Sequence, residues 1–93
     1  MSVGVPGGYS GWSFDLTSEA TGVFREALQG VVGVEYEPFA FATQVVEGVN
    51  YSFLAKARPV VPDPQLNVAQ VHVFAPLPGQ GSPKLEGIEV IQP

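Results

Sequence analysis

Gln44-Val45-Val46-Glu47-Gly48-Val49-Asn50-Tyr51 sets two valines and a single acid between two strand-like stretches. Upstream, Val34 to Thr43 carries aromatics and places Glu35 and Glu37 on one face of an alternating pattern. Downstream, Val49 to Arg58 resumes as strand. The glycine between them marks a turn, so the stretch reads as the tip of an antiparallel hairpin. Turn tips normally carry polar residues, because water reaches them and the backbone there favours Gly, Asn or Asp. An apolar tip predicts a surface that another molecule buries.

Working outward, Ala20, Val23, Phe24, Ala27, Leu28 and Val31 recur at spacings of three and four. That single apolar stripe predicts an amphipathic helix over about residues 17–31. Asp15 to Ser18 offers several N-caps, Glu19 suits the first turn, and Gly30 and Gly33 end the pattern. Gly22 inside it costs roughly 1 kcal/mol relative to Ala. Beyond the hairpin, Pro62 and Pro64 exclude a central strand. Val68 to Phe74 alternates again, with Ala69, Val71 and Val73 on one face and Gln70 and His72 on the other. A second turn, 76–83, precedes a last strand from Leu85 to Ile91.

One helix followed by four antiparallel strands in a meander is an α+β design, the helix covering one sheet face. The first and third strand connections then share one end of the sheet, and the connection over 59–67 lies at the other. Gly4, Pro6, Gly7, Gly8 and Gly11 mark residues 1–11 as an extended, mobile arm ahead of a single domain over 12–93. Trp12 is expected to be a core or stapling aromatic.

The 93 residues suffice for one core. Four basic side chains against nine acidic give a net charge of −5, which argues against nucleic acid and anionic membranes as partners. With no cysteine, disulfides, thiolate chemistry and Cys-ligated metals are excluded. The first residues lack a basic start and an apolar stretch, so the expected location is the cytoplasm, with a secreted origin left open.

A catalyst is hard to assemble from these side chains. His72 is the single histidine and reads as a surface residue without a partner. One histidine and no cysteine leave no ordinary zinc site. Glu35 and Glu37 suggest a carboxylate pair, but solvated strand glutamates are the plainer reading. Neither a nucleophile elbow nor a phosphate loop is present, so the expectation is a protein that is not an enzyme and carries no metal or cofactor.

Gln44-Val45-Val46-Glu47-Gly48 resembles the Q-x-V-x-G signature of the cystatins, inhibitors of papain-like cysteine proteases. Pro6-Gly7-Gly8 resembles the N-terminus of the stefin branch. The order of helix, first strand, Q-x-V-x-G hairpin, Val73-Phe74, Leu77-Pro78-Gly79-Gln80 and Leu85-Glu86-Gly87-Ile88 matches as well, so the resemblance covers nearly the whole chain. It implies a cystatin-like fold, one N-terminal helix wrapped by a four- to five-stranded antiparallel sheet. It also implies a wedge that fills a protease cleft without being processed. Val5 and Pro6 would lie in the unprimed subsites, and Gly7, with Gly8 beside it, would turn the chain away from the catalytic thiolate. Gln44, Val45, Val46, Glu47 and Gly48 would form the central tip, with Leu77 and Pro78 on the primed side.

Glu47 departs from the small residue usual in stefins, and a carboxylate at a desolvated tip costs affinity unless it stays at the rim or meets a cation. The alternative is a non-inhibitory cystatin-fold binding module. Gly48→Arg is expected to abolish binding for the inhibitor and to matter little for the module. A monomer is the expected active form. The family also implies a possible domain-swapped dimer when the Val45–Glu47 hairpin opens into one strand.

Overall fold

A computed structural model describes residues 8–93. Its elements are α1 (Ser18–Ala27), β1 (Val34–Val46), β2 (Gly48–Pro59), β3 (Asn67–Ala75) and β4 (Lys84–Ile91). The strands form one antiparallel sheet in the order β1-β2-β3-β4, an α+β meander with the helix on one face.

Thr17 caps the helix, its Oγ1 accepting from the Ala20 N–H at 3.0 Å. The helix is shorter than its apolar stripe predicts. Leu28 N–H still reaches Phe24 O, but Gln29 N–H bonds Glu26 O and Val31 N–H bonds Leu28 O. The ladder thus tightens from four residues to three before Gly30, which ends the α-helix at Ala27. Val31, counted as helical by periodicity, belongs to the connection.

The core forms where the helix meets the sheet. Ala20 and Phe24 pack on Tyr51, Phe53, Ala55, Val71 and Val73, all buried. Phe24 meets Phe53 edge to face with centroids 4.9 Å apart, and Phe53 stacks on Tyr51 at 5.4 Å. Val71 and Val73 do face inward with Ala69, as the alternation predicts.

Burial pushes the Tyr51 phenol up, and the Glu19 carboxylate adds to the shift. The unfolded chain ionises this phenol near about 10, so the neutral form's contribution is complete below that pH. It is lost as pH rises from there through the raised folded value. Urea midpoints across that alkaline window should fall more steeply for wild type than for Tyr51→Phe. Parallel pH profiles would contradict this account.

The outer sheet face carries the polar half of each strand. Glu35 pairs with Arg58 at 2.9 Å, an exposed contact worth little stability. His72 also lies on this face, but it does have a partner, Glu89 Oε1 at 3.3 Å from its Nε2. Trp12 corrects an expectation: it is 44% exposed and lies outside the core. With Tyr9 it borders a shallow cavity of about 160 Å³ over Ala42 and Ser52 on the outer face.

Backbone parity explains an unusual proline. Gly33 O accepts from Val60 N–H at 3.0 Å, on the β2 side. Polar groups alternate along a strand, so Glu35 and Glu37 also turn theirs to β2, and Val34, Tyr36 and Pro38 turn theirs to the open edge. Pro38 therefore forfeits no ladder bond. A bulge between Pro38 and Ala40 shifts the parity, and Phe41 and Thr43 then point outward. Phe41 exchanges both backbone bonds with Ser13, at 2.8 and 2.9 Å.

Candidate functional site

The paired strands run almost to the apex of the first hairpin. Val45 faces Val49 and Val46 faces Gly48, leaving Glu47 alone at the turn. Gln44, Val45 and Val46 are thus strand residues, although periodicity assigns them to the turn. Val45 is 75% and Val46 43% exposed, so the apolar tip is indeed left to solvent. Asn50 Nδ2 donates to Gln44 Oε1 at 2.8 Å and ties the two strands together behind the tip.

Gly48 is buried and has φ of 119°, a conformation side-chain-bearing residues rarely adopt. A Cβ there would stand 2.6 Å from Ala75 O and 3.0 Å from the Phe74 ring. The glycine is therefore required by the close approach of β3 as well as by the turn. That approach also places the second tip beside the first, since Val49 pairs with Ala75.

In the connection from β3 to β4, Gln80 N–H donates to Leu77 O at 2.9 Å. Pro78 at the second position and Gly79 at the third, with φ of 81°, carry the signature of a type II turn. Leu77 is left 44% exposed at its start. The loop over 60–66 lies at the opposite end of the sheet, as the meander requires.

The N-terminal segment approaches the same edge. Ser10 N–H donates to Thr43 O at 2.7 Å, and Thr43 N–H donates to Ser10 Oγ at 3.0 Å. Together with the antiparallel Ser13–Phe41 bridge, these bonds lay residues 10–13 beside β1, with Ser10 nearer the Val45–Glu47 tip. Within the expected arm, then, Ser10 is anchored to the sheet. Gly8 is exposed there; Val5, Pro6 and Gly7 lie outside the described residues.

Sequence reasoning missed Ser10, Thr43 and Asn50 as the groups that hold these segments. Ser10 and Thr43 lie 33 residues apart, and only the fold makes them partners. Among the described residues, no three His, Asp or Glu side chains gather as a metal site, and no helix is long and apolar enough to cross a membrane.

The arrangement is an edge of two adjoining apolar tips, each held by its own backbone bonds, with Ser10 anchored beside β1. Its chemistry is that of burial and backbone contact. No protein-family model, no curated protein and no solved structure matches this chain.

Proposed function

We propose that this chain is a reversible, tight-binding inhibitor of papain-like cysteine proteases with a cystatin-like fold, acting as a monomer. The observation that carries the reading is the juxtaposition at one sheet end of Val45, Val46 and Leu77, all exposed, through the pairing of Val49 with Ala75. Ser10, two residues after the Pro6-Gly7-Gly8 motif, is bonded to Thr43 on the strand that leads to that tip. The resemblance to Q-x-V-x-G and its companions supplies the partner.

The physics of such a wedge follows from its construction. Both turns are fixed before binding, one by strand pairing and one by Pro78 and Gly79, so docking orders little backbone. Apolar burial of Val45, Val46 and Leu77 supplies the affinity, and desolvated side chains of this kind behave as hot spots. Gly7, if it passes the catalytic thiolate as in stefins, presents no side chain to collide.

Titration of papain activity with the purified protein tests this. Wild type should remove activity stoichiometrically. Val46→Asp should weaken inhibition by at least about thirtyfold, the equivalent of a hot spot of about 2 kcal/mol. Its thermal unfolding should stay close to wild type, because the Val46 side chain is already partly in water. A folded wild-type sample that leaves papain fully active would overturn the reading for that enzyme.

Glu47 favours a second reading, a cystatin-fold binding module without inhibitory activity. Its exposed carboxylate stands at the apex, where cleft entry would strip its water. Under that reading Glu47→Ala also fails to inhibit; under the first, it inhibits more tightly than wild type.

A further inference from the structure

On the far side of β1 from its tip, the helix and the strand enclose a groove of about 420 Å³, within the size range of ligand sites. Phe24, Leu28, Val31, Val34, Tyr36 and Pro38 supply its apolar lining, Thr21 and Arg25 are its helix-side polar residues, and Glu35 and Glu37 border it along the strand. The groove runs beside the stretch of β1 that precedes the bulge. Among the described residues, nothing pairs with the outer edge of that stretch. By the alternation set out above, Val34 and Tyr36 each present an N–H and a C=O there, and Pro38 a C=O.

Glu35 and Glu37 flank the same edge from the opposite sheet face, because they alternate with Tyr36. Both are exposed. Glu35 is bonded to Arg58, whereas Glu37, across from Lys56 on β2, forms no ion pair among the described residues and keeps its carboxylate open toward the edge.

We infer that this edge is a binding site for an extended peptide in which apolar residues alternate with basic ones, added as a further strand beside Val34 to Pro38. An added strand fills the unpaired N–H and C=O groups and turns its side chains alternately to the two faces. Those opposite Val34, Tyr36 and Pro38 enter the apolar groove. Those between them stand against Glu35 and Glu37, where lysine or arginine is favoured and an acid is repelled. The same charges reject a second copy of this chain. Pairing Glu35-Tyr36-Glu37 with itself in antiparallel register about Tyr36 sets Glu35 against Glu37 twice.

The probes are two end-capped fluorescent peptides, Val-Lys-Leu-Lys-Val and its acidic counterpart Val-Glu-Leu-Glu-Val, titrated at low salt against the full chain and read by anisotropy. The lysine probe should bind, and the glutamate probe should bind at least about tenfold more weakly, since two cross-strand pairs change sign. Bound lysine probe should slow amide exchange at Val34 and Tyr36. Glu37→Lys sets a like charge across from Lys56, so its thermal unfolding is measured alongside, and it should narrow or reverse the preference. Equal affinity for the two probes, binding by neither, exchange protection confined to other strands, or an unaltered preference in Glu37→Lys would each overturn the assignment. Papain inhibition should be the same with and without the lysine probe, because the site lies away from the hairpin tip.

Discussion

Phe53→Ala should remove about 3–5 kcal/mol of stability, the usual cost of deleting a fully buried phenylalanine. Phe53 has no solvent exposure and stands at the centre of an aromatic cluster. Phe24 meets its ring edge-on at 4.9 Å, Tyr51 stacks at 5.4 Å and Phe41 at 6.3 Å. Removing it takes away the transfer term, the ring contacts and the filling of the space between helix and sheet. Two other members of this buried cluster, Ala20 on the helix and Ala55 on β2, are single methyl groups that cannot fill the gap. A domain of this size holds only about 5–15 kcal/mol in total, so a large part of the population should unfold under mild denaturant. Urea unfolding followed by tryptophan and tyrosine fluorescence measures it. A loss below about 1.5 kcal/mol would mean that the helix settles onto the sheet without this ring, and that the core is organised elsewhere.

Gly48→Arg should lose inhibition and stability together. The φ of 119° strains any side-chain-bearing residue by about 1–3 kcal/mol, and the new Cβ meets a backbone oxygen, Ala75 O, which a rotamer change cannot move aside. The tip has to separate from the end of β3, and the pairing of Val49 with Ala75 goes with it. This corrects the expectation that Gly48→Arg would matter little to a non-inhibitory module: the change damages the fold under either reading. Gly48→Ala separates the effects. Its Cβ meets the same oxygen, so its stability loss should approach that of the arginine variant. Any additional loss of inhibition in Gly48→Arg then reports the partner's walls. Thermal unfolding and papain titration of both variants give the comparison. An alanine variant as stable as wild type would show that the tip relaxes freely and that β3 does not require the glycine.

Much of the architecture was legible because period reports burial. The inward run of Ala69, Val71 and Val73, the outward pair Glu35 and Glu37, and the stripe through Ala20 and Phe24 are consequences of alternation and of helical spacing. Element ends were less legible. The apolar stripe extends to Val31, but hydrogen bonding changes register after Leu28, and no side-chain pattern records that change. Trp12 misled for a related reason. Its size suggests the core, yet the Ser13–Phe41 bridge holds its segment along the sheet edge, and the ring ends on the outer face.

The candidate site divides the same way. Local chemistry alone determined that Val45 and Val46 flank a turn, that Pro78-Gly79 bends the chain, and that both tips carry apolar side chains. Each depends on residues within a few positions of one another. Gly48 already suits its turn locally, but only the tertiary structure decided that a Cβ there would strike the Ala75 oxygen, 27 residues away. It alone decided that Ser10 finds Thr43, and that β1 keeps an open edge beside the helix. Those outcomes depend on strand pairing, which joins groups distant in sequence and leaves no periodic trace in it.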